Sequence, residues 1–354
     1  MILSSFARSG PSRRRSALRT AGAVLVLAAS APVLVGCAGT SDAAGDGSST
    51  ATETIDFQLD WVKNQQFAGM FEADDKGYYE DAGLEVNFLD GGDVASTETI
   101  IAGGGAQIGI SSNMARLADA IDAGADLVAI GAIYQVNPAC LMTRPDTTIT
   151  SAKDLAGLRI GSDESGLNDI KTLFAVNGLD PDFEGVRVGY DAAPLFDNQV
   201  DAYYCYSTNQ PIPYEQNGTD FNNVMFADLG YESYAGLIVT TRSYLDEHRD
   251  AVVAFMKATT EGWNDALEDT SAAVDLVMDN YGADLGLDKD TAVAELDAQK
   301  DLMVSDFTDE NGLFALDTDE ISGGMYDTLK ASGRTDLPEV EKAFDTSIVT
   351  DAAS

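Results

Sequence analysis

The chain has 354 residues, with 21 Lys and Arg against 59 Asp and Glu, a formal charge of −38. That balance argues against nucleic acid as a partner, because no basic surface exists to neutralise phosphates. Three Cys and one His leave almost nothing for cysteine-histidine metal sites or a His-dependent nucleophile, and no Asp-rich loop has metal-ligand spacing.

The first element is an export signal: Arg13, Arg14, Arg15 and Arg19 precede an uncharged apolar run from Ala21 to Val35 that stops at "LVGC". About fifteen apolar residues fall short of the roughly twenty that span a bilayer. "RRR" allows twin-arginine export. "LVGC" resembles a bacterial lipobox, which makes residues 1–36 a removed signal and Cys37 the lipidated first residue. Loss of the signal removes five Arg and no acid, leaving 16 basic against 59 acidic residues, or −43. Residues 37–53, including "AGTSDAAGDGSSTAT", lack large apolar side chains and form a flexible tether of roughly 20 Å. The strong acidity reads as a solvated surface.

"TIDFQL" (54–59) alternates as a strand and runs into "DWVKNQQF", a cluster of Trp, Lys, Asn and Gln; a helix over 67–76 follows, ended by Gly77. "GLEVNFLD" is a strand ending at Gly91-Gly92, "TETIIAGGG" a helix, "AQIGISS" a strand, "MARLADAIDAG" a helix and "DLVAIGAIY" an apolar strand. This alternation reads as an α/β fold with a mostly parallel sheet wrapped by helices. The rhythm restarts after Arg144-Pro145 with a helix capped by Ser151, a strand ending at Ser162, "LNDIKTLFAVNG", "GVRVGY" and "LFDNQVDAYYCYS". "AGLIVTTRSYLDEHRD" is a return strand, and beyond it Val252, Phe255, Met256, Trp263 and Leu267 share one buried helix face. The expected division is lobe 1 at 54–143 plus 236–354 and lobe 2 at 144–235, with crossings near 142–148 and 232–238. Cys140 and Cys205 can pair in an oxidising exterior, although buried free thiols are favoured here.

In open α/β sheets ligands sit beyond the carboxyl ends of strands. The residues there are Asp60, Trp61, Asn64, Gln65 and Gln66; Gly91, Gly92 and Asp93; Ser111, Ser112 and Asn113; Tyr134 and Gln135; Ser162, Asp163, Glu164 and Ser165; Tyr206, Thr208 and Asn209. Phe67, at the start of the first helix, joins the candidate set. Hydrogen-bonding groups with flat aromatic surfaces suit a polar, planar small molecule. Lys63 and Arg116 are outnumbered by Asp60, Asp93, Asp163 and Glu164, which favours a neutral or cationic ring over an anion.

"LDWVKNQQFAGMFEADDKGYYEDAGLEVNFLDGGD", "IAGGGAQIGISS", "ITSAKDLAGLRIG" and "NQVDAYYCYSTNQP" resemble the solute-binding proteins of ABC importers over about residues 54–250, above all receptors for thiamine pyrimidine precursors. Nitrate, sulfonate and riboflavin receptors are relatives. The resemblance implies a two-lobed, type II periplasmic-binding-protein fold with a hinge, closing on ligand and serving a membrane permease and, indirectly, its ATPase. The chain is expected to be a monomer without cofactor or metal, and the lipobox implies that lipid holds it on the outer face of the cell membrane. Asp60 and Trp61 would line the first wall, Ser111 and Asn113 the floor, Glu164 and Asn209 the second wall. Where pyrimidine-binding relatives often carry Asn-Thr-Asn-His-like residues, this chain has "VKNQQF", without the His. Fungal enzymes that make the pyrimidine use a His and a cysteine-rich run; "YYCYS" is no such run, so synthesis is not expected. A hydrolase using Glu164 as base and an adhesive surface lipoprotein are the competing classes.

Overall fold

The computed structural model describes residues 52–354 apart from Asp93; the signal, Cys37 and nearly all of the tether lie outside the described residues. Ten strands form two sheets: β1 (Glu53–Gln58), β2 (Leu84–Leu89), β3 (Ile108–Asn113), β4 (Leu127–Tyr134), β5 (Ala139–Thr143), β6 (Arg159–Ser162), β7 (Glu184–Arg187), β8 (Ala202–Tyr206), β9 (Asn222–Met225) and β10 (Ala235–Thr241). The first sheet has the order β2-β1-β3-β10-β4 and the second β7-β6-β8-β5-β9. In each sheet four strands run one way, and the strand fourth in order is antiparallel to both neighbours. Those two strands, β10 and β5, are the ones through which the chain enters each sheet from the other. A crossing strand comes from the far side and so runs against the strands built by local strand-helix-strand units.

The first crossing comes earlier than expected. β5 pairs with β8 residue for residue, Ala139 opposite Tyr206 through Thr143 opposite Ala202. Residues 139–143 therefore belong to the second sheet, and the chain changes sheets within 135–138 rather than near 142–148. "ACLMT" is five residues of unbroken apolar and small character, buried throughout, and it offers no alternation to mark it as a strand. The same register sets Cys140 opposite Cys205, and a disulfide joins them. Free thiols, the favoured sequence reading, are thus replaced by a covalent tie between the crossing strand and β8.

Apolar clusters cover both faces of both sheets. β4 is buried at all eight positions, which its continuous run "LVAIGAIY" requires. Helix Arg249–Glu268 buries Val252, Phe255, Met256, Trp263 and Leu267, the stripe expected from its spacing. It crosses helix Ala68–Asp75 in very close contact, since a Cβ on Gly69 would stand 2.2 Å from Trp263 Cγ. Among the described residues, no helix is long and apolar enough to cross a membrane.

Candidate functional site

The carboxyl ends of β1, β3, β4, β6 and β8 converge on a cavity of about 250 Å³ between the two sheets. Its first wall begins where β1 stops. The Gln58 amide donates to the carbonyls of Leu59 (2.8 Å) and Asp90 (2.9 Å), and Gly91 N–H donates to Trp61 O at 3.1 Å. A Cβ on Gly91 would meet Trp61 N at 2.4 Å, so glycine is what lets the β2 exit lie against the Asp60-Trp61 corner. The Asn64 side chain then caps a 3₁₀ turn, accepting from Gln66 N at 3.1 Å, which holds Gln65 at the cavity.

Asp60 has one oxygen, Oδ1, removed from water with no hydrogen-bond partner. Burial, reinforced by Glu98, pushes its carboxyl up to about 6, while a Ser112 hydrogen bond and the Arg116 charge pull the other way. Gln65 is 4 % exposed and its Oε1 is likewise unpartnered; its Nε2 donates to Glu295. Trp61 meets Tyr190 of the opposite wall edge-on, ring centroids 5.2 Å apart. The second wall carries Tyr203, Tyr204 and Tyr206, and burial raises all three phenols, keeping them neutral. Asp169 accepts from Tyr204 (2.9 Å) and Tyr231 (3.2 Å), with burial raising it to about 6. Glu295, on helix Lys289–Met303, accepts from Asn209 Nδ2 at 3.0 Å as well as from Gln65; burial raises it to about 7.

Of the expected site residues, Asp60, Trp61, Asn64, Gln65, Ser112, Asn113, Tyr134, Asp163, Ser165, Tyr206 and Asn209 line the cavity. Four do not. Phe67 is fully buried in the apolar core, as an aromatic at the head of an amphipathic helix usually is. Gly92, with φ +89°, turns the chain after β2. Ser111 points the other way along its strand and gives its hydroxyl to Glu98 at 2.5 Å, consistent with the two-residue period that puts Ser112 in the cavity. Glu164 is turned outward, 70 % exposed at the side chain and paired with Arg187 at 2.8 Å. It follows Asp163, which caps the helix by accepting from Gly166 N at 2.9 Å.

Sequence reasoning gave no place to Asp169, Tyr190, Tyr203, Tyr204, Glu295 or Gln299, all of which line the cavity. Glu295 and Gln299 stand one helical turn apart on an otherwise ordinary helix, and local sequence cannot tell that polar face from a solvated one. The tyrosines stand in "YYCYS", but only the pairing of β8 sets that strand against the cavity. The carboxyls of Asp60, Asp163, Asp169 and Glu295 face one cavity-lining cation, Arg116. His248 is far from this chemistry: it pairs with Glu53 at 2.7 Å, at the opposite end of β1.

The family model described as NMT1/THI5 like matches residues 64–273. A formylaminopyrimidine-binding protein of Halalkalibacterium halodurans is 23% identical over 242 residues, 65% of this chain and 71% of the relative. The 4-amino-5-hydroxymethyl-2-methylpyrimidine phosphate synthase of Schizosaccharomyces pombe is 25% identical over 233 residues, 62% of this chain and 67% of the relative. Among solved structures, a putative periplasmic sulfonate-binding protein SsuA from Methylobacillus flagellatus shares the fold. It has TM-score 0.61 and 15% identity over 86% of this chain and 94% of the other.

Proposed function

The chain belongs to the NMT1/THI5-like family, and from that premise we propose that it is the solute receptor of an ABC importer, capturing a small planar heteroaromatic base of the aminopyrimidine type. The observation that carries this reading is Asp60 Oδ1, a buried acceptor with no partner on a residue that lines the cavity. An unmet buried acceptor costs roughly 1–3 kcal/mol, and a ligand amino group would supply the missing donor. Trp61 and the tyrosines offer flat faces for a ring. A cavity of about 250 Å³ lies just below the usual range of small-molecule sites, which favours a single ring over a flavin.

Four carboxyls against one Arg favour a base over a sulfonate or nitrate, whose recognition would need concentrated donors. A synthase role finds little support, because the lone His248 is held by Glu53 away from the cavity. In this reading the signal and Cys37 bring the protein to the outer membrane face, where a lipid anchor keeps it beside the permease. Native mass spectrometry of gently purified protein, followed by calorimetry with 4-amino-5-hydroxymethyl-2-methylpyrimidine, riboflavin and ethanesulfonate, tests it. The pyrimidine should bind without turnover and most tightly. Tighter binding of ethanesulfonate would overturn the reading.

A further inference from the structure

Glu295 lies beyond the family-matched residues 64–273, on helix Lys289–Met303, and reaches the cavity from the side. Its carboxyl is gripped from both halves of the site, by Gln65 Nε2 from the β1 side and by Asn209 Nδ2 from the β8 side. Both donors are neutral amides. The other carboxyls have different company: Arg116 acts on Asp60, two tyrosine hydroxyls bind Asp169, and Asp163 caps its own helix. Burial raises the Glu295 carboxyl, and its partners are two amides rather than a cation. Next to it, Gln65, a cavity-lining side chain 4 % exposed, has an unpartnered Oε1.

This wall thus holds an unneutralised carboxyl and an unmet carbonyl-type acceptor side by side, both tied to the same amide. A group complementary to them has at least two N–H donors and a positive charge, because a charged donor meets the carboxylate and a second N–H meets the amide oxygen. We propose that Glu295 is the charge-selecting residue of the cavity, taking, together with Gln65, a cationic N–H group of the ligand. The group is an amidinium edge of a ring or an ammonium arm. The inference rests on the cavity being the ligand site and deepens that reading by fixing the ligand's charge. Asp60 then receives the opposite edge of the same base.

The test is calorimetry at about pH 8 on the full-length protein, with two matched pairs of probes. Benzamidine against benzamide supplies an amidinium and its neutral counterpart. The 5-aminomethyl analogue of 4-amino-5-hydroxymethyl-2-methylpyrimidine against the hydroxymethyl compound itself supplies an ammonium arm and its neutral counterpart. At least one cation should outbind its neutral partner by about tenfold or more, and the pair that does so tells ring edge from arm. Glu295→Gln should collapse that ratio to within about threefold, and Glu295→Asp, which keeps the charge, should restore most of it. Thermal unfolding confirms that each variant is folded. A benzamidine preference without any pyrimidine binding would end the pyrimidine reading and leave the charge-selecting role standing. The role is overturned by absence of binding for both cations, by cations binding no better than their neutral partners, or by a preference that survives Glu295→Gln.

Discussion

Replacing Glu295 by Gln should stabilise the ligand-free protein, and only above mildly acidic pH. The carboxyl has an ordinary value of 4.5 and is raised by burial to about 7 in the folded protein. Below about pH 4 it is protonated whether the chain is folded or not, so it contributes no difference. As pH rises through the interval up to about 7, the unfolded chain loses its proton first, folding becomes coupled to proton uptake, and stability falls. The gap corresponds to at most about 3 kcal/mol at pH 8. Gln keeps the shape, still accepts from Asn209, and donates to Gln65 Oε1 once the Gln65 amide turns over, because Gln65 Nε2 is the atom that faces this position in the parent. The variant should therefore melt about 2–5 °C above the parent near pH 8, with the gap shrinking to about 1 °C or less near pH 4.5. Differential scanning calorimetry across that range, without ligand, reads the gap directly. Asp60 and Asp169, each raised to about 6 by burial, tilt both proteins alike and cancel in the comparison. A gap absent at pH 8, or one that does not close on acidification, would refute the reasoning.

Asp60→Asn should weaken an aminopyrimidine by about 1–3 kcal/mol, roughly five- to 150-fold, while leaving ethanesulfonate the same or tighter; calorimetry on the variant decides it. Gly69→Ala must displace Trp263, whose Cγ would lie 2.2 Å from the new Cβ, and should cost about 1–3 kcal/mol or more in urea unfolding without altering ligand selectivity. Reducing the Cys140–Cys205 disulfide, which closes a separation of 65 residues, should cost up to about 4 kcal/mol of stability in the chain-entropy account, measured by unfolding with and without reductant. Cys37→Ala should free a folded, ligand-binding protein from the membrane fraction; persistent membrane association after fractionation would count against the lipid anchor.

How far the sequence went follows from what local chemistry can encode. β1 to β4 and the helices between them were legible because alternation, apolar runs and terminal glycines act over a few residues, and the structure places those strands within one or two residues of expectation. The site was legible where it sits directly on a strand end, as with Asp60, Trp61, Ser112 and Tyr134. β5 was missed because its partner is more than sixty residues away at β8. That same distant pairing joins the two cysteines and sets β8, with Tyr203, Tyr204 and Tyr206, against the cavity. Ser111 and Glu164 were each one residue off the mark: the right loop was chosen, but the face of the strand or the first turn of the helix directed the neighbour inward instead.

The arrangement of the two sheets explains why selectivity can sit outside the matched family region. Because β5 and β10 each enter as the antiparallel strand, the carboxyl ends of β1, β3, β4, β6, β7 and β8 can aim at the shared gap, and the segments at those ends supply polar groups to one cavity. Those loops bring rings, hydroxyls and the Asp60 carboxyl, a set that fits many flat polar molecules. The chain after residue 273 is helical and packs largely on the first sheet's core, so a single helix there can reach the gap without disturbing either sheet. Glu295 does so, and it contributes the charge that the loops leave open. A change at that position alters which ligand is neutralised while every strand, cap and aromatic contact stays in place. The receptor scaffold and its choice of ligand charge are in this way carried by different parts of the chain.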